Sequence, residues 1–222
     1  MDLEEYFPFW TSLSDGQKKA LARSAARKRY RKGETVHGGG LDCIGLLIVE
    51  RGQLRVFSLS EEGREITLYR LLERDICLFS ASCILRGLQF DMEVEAASDT
   101  DLIHIPADVF RSLMRESAAA ANFTNELMAD RFSSVMWLLD QVLYKRMDAR
   151  LSAFLLEESA LIGGDALPLT HEAVARHLGT AREVVTRMLK YLQAEGAVSL
   201  SRGGITILDT NILKGLAAGS IR

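Results

Sequence analysis

The stretch GTAREVVTRMLKYLQAEGAV, residues 179–198, decides how the rest of the chain is read. At about 100° per residue, Arg182, Glu183, Thr186 and Arg187 fall within an arc of about 140°. Val184, Val185, Met188, Leu189 and Leu192 fill the opposite arc. The pattern predicts a helix with an apolar back that must be buried and a front bearing two guanidiniums, a carboxylate and a hydroxyl. Two readings compete for that front. It is either a solvated face with a Glu183–Arg187 pair at i,i+4, or a surface that reads base edges.

The flanking residues choose between them. Upstream, THEAVARHLG (170–179) reads as a helix capped by the Thr170 hydroxyl and closed by a tight turn at Gly179. Downstream, VSLSRGGITIL (198–208) reads as two short strands joined through Gly203–Gly204, a wing-like hairpin. Ala173 and Ala175 keep the first helix thin, and Val185 and Leu189 pack beneath the second. A helix–turn–helix with a wing projects its second helix toward the DNA major groove. Arginine suits the paired acceptors O6 and N7 of guanine, and a carboxylate accepts from the cytosine amino group. A phosphate binder would gain nothing from Glu183, whereas a base reader can use it. Thr180-x-x-Glu183 also spells a capping box, which gives Glu183 a second, structural role. Thr170 and Thr180 at helix starts, and Arg202 in the wing, are the candidates for phosphate contact.

Charge supports the division. The chain carries 27 Lys/Arg and 30 Asp/Glu, a net −3. From Pro168 onward seven basic residues face four acidic ones, +3, leaving 20 basic against 26 acidic residues, −6, in the remainder. A mildly basic tail on an acidic body suits a DNA-contacting module joined to a sensing module. The opening MDLEEYFPFW has neither a basic n-region nor an apolar h-region, and no apolar run approaches a membrane span. With three cysteines (Cys43, Cys77 and Cys83), an odd count, a reduced cytoplasmic setting without a structural disulfide or membrane partner is expected.

Earlier in the chain, residues 11–29 read as an opening helix capped by Ser14 or Asp15. From 30 to about 106, apolar runs such as GLLIVERGQLRVFSL, EITLYRLL and DLIHIP alternate with turn signals, and SEEGRE reads as a hairpin turn. Short strands at this spacing indicate an antiparallel sandwich or barrel. From Ala107 the pattern is helical. Met128, Phe132, Val135, Leu139 and Val142 follow the 4-3-4-3 spacing of a coiled-coil seam, which Ala121 and Asn125 extend backwards, Asn125 as a register-setting polar residue. The same stripe would also serve a helix packed on its own barrel; Trp137, Leu138 and Leu143 on the other faces suit a helix that does both. Asp148 is expected to cap the helix that follows.

Over nearly its whole length the chain resembles the Crp/Fnr family of bacterial transcription regulators. GTAREVVTRMLKYLQAEGAV matches the family's recognition helix with its R-E-x-x-x-R pattern, and KGETVHGGGLDCIGLLIVERGQLRVFSLSEEGREITLYRL matches its glycine-punctuated roll. The resemblance implies an α+β fold: an antiparallel β jelly roll (a double-stranded β-helix) over 1–115, a long dimerisation helix over 116–146, and a winged helix–turn–helix over 147–222. It also implies a homodimer on a two-fold-symmetric operator in double-stranded DNA, RNA polymerase as a partner, and base reading by Arg182, Glu183 and Arg187.

Two departures bear on the effector. The cyclic-AMP branch of the family uses a G-E-L acid for the ribose and an Arg-Ser pair for the phosphate; here Phe79–Ser80 and Gln89–Phe90 stand at those places, with Arg86 displaced. Val135 and Met136 replace the hydroxyl residues that would touch adenine. Burying a cyclic phosphate without a matched cation is costly, so no tight cyclic-nucleotide binding is expected. The iron–sulfur branch needs four cysteines, most near the N-terminus; with three cysteines, none before Cys43, no such cluster is expected. Cys77 and Cys83 flank the altered segment, either as a thiol switch or as small buried hydrophobes. His37 and His104 offer a haem ligation that is less favoured than an ordinary strand histidine. Cys77, Phe79, Ser80, Cys83, Arg86, Met92, Val135 and Met136 are the candidate effector-pocket residues, and walls of Phe79, Met92, Val135, Met136 and Trp137 would suit an apolar or aromatic small molecule of unidentified kind. An enzyme is disfavoured, since no nucleophile, metal or phosphate-loop constellation occurs, and a bare interaction module would not need the intact Arg182/Glu183/Arg187 front.

Overall fold

The computed structural model describes residues 3–38, 44–78, 92–218 and 220 of the 222-residue chain. They fall into two compact units, Met1–Leu59 with Leu68–Val135, and Ser60–Thr67 with Met136–Arg222.

The first unit opens with α1 (Asp15–Ser24), started by a capping box in which the Ser14 hydroxyl accepts from the Gln17 N–H and Gln17 Oε1 accepts from the Ser14 N–H. The helix expected over 11–29 is therefore shorter, and its last residues form a strand instead. That strand, β1 (Ala26–Tyr30), runs antiparallel to β8 (Thr100–Ile105), from Ala26 opposite His104 to Tyr30 opposite Thr100. ARKRY has helix propensity but no apolar stripe, and the open edge of β8 offers its backbone a full ladder. Its charged side chains stay largely exposed and guard the sheet edge.

The other strands are β2 (Thr35–Gly38), β3 (Leu46–Arg51), β4 (Leu54–Leu59), β5 (Glu65–Leu71), β6 (Ile76–Cys77) and β7 (Glu93–Ala96). They form two four-stranded sheets, ordered β1-β8-β3-β6 and β2-β7-β4-β5. One core holds Leu47, Val49, Leu54, Val56, Val94 and Leu102. The alternate residues Leu46, Ile48, Ile103 and Ile105 pack outward against Phe7, Leu21 and Phe110. Covering both faces of β3 explains its unbroken apolar run, which an alternating strand would lack. Between β3 and β4, Gly52 takes φ +95°, and a Cβ there would lie 2.4 Å from the Asp99 carbonyl oxygen, so only glycine serves.

Two helices follow, α2 (Ala107–Glu116) and the 27-residue α3 (Ala118–Tyr144). Ala120, Phe123, Leu127 and Met128 of α3 pack on the outer core. This is the β-roll and long helix expected from the sequence.

In the second unit, α4 (Met147–Ile162) starts with Arg146, not Asp148, at the cap position. Asp148 lies in the first turn, buried, accepting from the Arg146 guanidinium at 2.8 Å and the Ala149 N–H at 2.9 Å. β9 (Ala166–Leu167), α5 (His171–Leu178), α6 (Arg182–Ala194), β10 (Val198–Ser201), β11 (Gly204–Ile207) and α7 (Thr210–Leu216) complete it. The wing is a three-stranded sheet, β10-β11-β9, since Leu167 pairs with Ile205. Leu155, Val174, Ala175, Val185, Leu189, Leu192, Val198, Ile205 and Leu213 close the core beneath it.

Candidate nucleic-acid interface

Val185, Leu189 and Leu192 are fully buried, so the apolar back of α6 is fastened to its unit and its front faces out. Arg182, Glu183, Thr186, Arg187 and Lys190 line one open concave surface. Arg182, Glu183, Arg187 and Lys190 are exposed, and none makes an ion pair or side-chain hydrogen bond among the described residues. The Glu183–Arg187 pair open to a solvated face is therefore not made. Three cations and one carboxylate stand unpartnered on one helix face, with their hydrogen-bonding groups available to a ligand.

The turn that aims this helix is built locally. Thr170 caps α5 by accepting from the Ala173 N–H at 3.1 Å. Gly179 ends α5 in the left-handed conformation, φ +66°, and the Thr180 N–H reaches back to the Ala175 carbonyl. α6 begins from Ala181 with no side-chain cap. The Thr180/Glu183 capping box is thus absent: with Thr180 one residue too early, the Glu183 carboxylate stays outward. Arg202 lies exposed in the turn between β10 and β11.

The Thr186 hydroxyl, expected among the readers, is instead engaged within the protein. It donates to the Arg182 carbonyl at 2.9 Å and meets His171 Nδ1, at the start of α5, at 2.9 Å. Sequence reasoning missed His171 because a pairing across 15 residues has no local signal. Lys190 had one, since it stands four residues after Thr186 and three after Arg187.

The tip of the β4–β5 hairpin, residues 60–67, belongs to this same unit. Glu65 accepts from Arg176 Nε at 3.0 Å, Thr67 Oγ1 lies 2.8 Å from His177 Nδ1, and the Ile66 side chain covers Gly179.

Of the residues expected to line an effector pocket, Cys77 and Met92 are buried in the roll core beside Tyr69. Burial, then the proximity of Cys77, pushes the Tyr69 phenol well above its ordinary pKa. Arg131 of α3 lies over the Tyr69 ring, 5.0 Å from its centroid, and 3.7 Å from Asp75. Val135 is half-buried and Met136 exposed. Phe79, Ser80, Cys83, Arg86, Gln89 and Phe90, with Cys43, lie outside the described residues. His104 Nε2 hydrogen-bonds to the Ile44 carbonyl, and burial lowers its pKa. Among the described residues no cluster of His, Cys, Asp or Glu is arranged to hold a metal, and no helix is long and apolar enough to cross a membrane.

A β-roll followed by a long helix and a winged helix–turn–helix defines a class of DNA-binding transcription regulators. Residues 27–117 match the cyclic nucleotide-binding domain, and residues 149–216 the Crp-like helix-turn-helix domain. A solved structure from Eubacterium rectale, described as a transcriptional regulator of the Crp/Fnr family, is 53% identical, with a TM-score of 0.94 over 97% of this chain and 100% of that one. The transcriptional regulator SdrP of Thermus thermophilus is 30% identical over 173 residues, 76% of this chain and 82% of its own. The cyclic AMP receptor protein of the same organism is 26% identical over 87% of this chain and 88% of its own. The chain belongs to the Crp/Fnr family of transcription regulators, a family of DNA-binding proteins rather than enzymes.

Proposed function

We propose that this regulator works in the cytoplasm as a homodimer, reads a palindromic operator with Arg182, Glu183, Arg187 and Lys190, and answers to an effector that is not a cyclic nucleotide. The unpartnered charged front of α6 carries the reading of DNA. An arginine that serves the fold is normally paired; here Arg182 and Arg187 stand ready for guanine and Glu183 for a cytosine amino group. Arg202 in the wing, with Thr170 and Thr180, holds the flanking phosphates.

Support for the dimer comes from α3. Phe132 is 66% exposed, Leu139 45% and Val142 42%, with Asn125 also exposed on the same stripe and Met128 and Val135 half-covered. A heptad stripe left open on one chain is what a second copy would cover. The effector reading rests on Phe79–Ser80 and Gln89–Phe90 standing where a cyclic nucleotide's ribose and phosphate would need an acid and an Arg-Ser pair. RNA polymerase is the partner through which the bound dimer would act on transcription.

Selection of binding sites from a random duplex library, run on the parent and on Arg187→Ala and Arg202→Ala, tests the assignment. Arg187→Ala should lose one base preference in each half-site, at about 1–3 kcal/mol per bidentate contact. Arg202→Ala should keep the parent's preferences and lower the salt dependence by about one phosphate per subunit. If both variants select the parent's sequence with equal stringency, α6 grips phosphates and does not read bases.

A further inference from the structure

The His171–Thr186–Arg182 chain has a direction. A threonine hydroxyl owns one hydrogen, and that of Thr186 is given to the Arg182 carbonyl four residues earlier. Its oxygen can therefore only accept from His171, so Nδ1 is the nitrogen that carries the hydrogen. In the neutral ring Nε2 is then bare, an acceptor with no hydrogen to give. His171 is half-buried beside the concave front of α6, and the charges facing it are both cations of that front, Arg182 and Lys190.

A surface arranged in this way meets DNA in one of two states. With Nε2 bare, its lone pair would face phosphate oxygens, two acceptors in opposition. With Nε2 protonated, the ring is a cation donating at both nitrogens, one hydrogen to Thr186 and the other to a phosphate oxygen, a charge-assisted bond. We propose that His171 is a phosphate contact that works only when protonated, so that each protomer takes up a proton at Nε2 as it closes on a duplex. The proton comes from solvent, and no covalent bond changes. In the free protein, burial first, then Arg182 and Lys190, lowers the His171 pKa and favours the neutral ring. DNA phosphate opposes the two charge effects: it brings negative charge to the ring and pairs with the same two cations. The neutral ring thus weakens attachment at alkaline pH, and Thr186 holds the ring in register with the recognition helix in both states.

The inference rests on the DNA-binding reading above, and the test keeps the two separate. A duplex recovered by the selection is titrated with the full-length protein between pH 8 and pH 6 at constant salt. His171→Asn is the first variant, because its amide keeps a donor near the Nδ1 position but cannot titrate. His171→Arg is the second, a cation at every pH. The parent should bind more tightly as pH falls, by up to about tenfold per protomer for each unit that phosphate raises the pKa. His171→Asn should hold the parent's pH 8 affinity throughout, and His171→Arg should lose the pH dependence while binding tightly at pH 8. Proton NMR of the imidazole should show the His171 titration moving upward when duplex is added, and calorimetry in buffers of different ionisation enthalpy should show proton uptake. Thermal melts of the free variants establish that they fold. A parent whose affinity is flat with pH, a His171→Asn that keeps the full pH dependence, or a titration that duplex leaves in place overturns the proposal while DNA binding stands. Absence of duplex binding at any pH overturns both.

Discussion

Replacing Gly179 with alanine should damage the helix–turn–helix more than its exposed position suggests. Two costs combine. The residue sits at φ +66°, where a Cβ collides with its own backbone, at about 1–2 kcal/mol. The new Cβ would also stand 2.9 Å from Ile66 Cδ1 and 3.0 Å from Ile66 Cβ and Cγ1. Overpacking of that kind costs about 1–3 kcal/mol when the neighbour cannot yield. Together they predict a loss of about 2–5 kcal/mol in the stability of the second unit. Because the chain has two compact units, a single melting curve would blend them. Amide hydrogen exchange in α5 and α6 isolates the affected unit. Ile66→Ala supplies the control: it removes Cγ1 and Cδ1 and leaves only Cβ, so Gly179→Ala in that background should recover much of the packing cost while keeping the backbone strain. A cost for Gly179→Ala below about 0.5 kcal/mol, or the same cost with and without Ile66, would show that the hairpin tip is not seated on the turn.

Three further outcomes follow from other parts of the molecule. Leu139→Arg places a charge in the exposed stripe of α3 and should convert dimer to monomer in sedimentation, without loss of helical signal; an unchanged dimer would place the interface elsewhere. Calorimetric titration with cyclic AMP or cyclic GMP should give no saturable heat, and a micromolar or tighter fit would overturn the reading of the roll. Stability of the DNA-free protein should fall as pH drops from 7.5 to 5.5: His104 and His171 both have lowered pKa values when folded, so the unfolded chain binds more protons once pH passes below its own histidine value of about 6.5. This slope is opposite in sign to the acid-enhanced DNA binding proposed for His171, and His171→Asn should shrink it in denaturant titrations.

Much of the fold was legible because the information was periodic and local. The 3.6-residue stripe of Val185, Leu189 and Leu192 made α6 a helix with one buried face whatever surrounded it. Thr170 and Gly179 act on their own backbones, and the cap and left-handed turn they imply are both present. The two glycines of the wing and the apolar runs of the roll are signals of the same kind. Where the local signals were ambiguous, contacts distant in sequence decided. ARKRY became a strand because β8 had an open edge, and nothing within those five residues records β8. Thr180 and Asp148 were plausible caps by type, but packing set each helix start one or two residues away from where their side chains would have served. Only the three-dimensional arrangement put His171 against Thr186, or the hairpin tip onto Gly179, since neither pair shares a periodicity. The front of α6 was visible in sequence as four polar residues on one arc, with Lys190 one turn further on. That its charges are unpartnered, and so free to bind, depends on what does not approach them, which only tertiary structure determines.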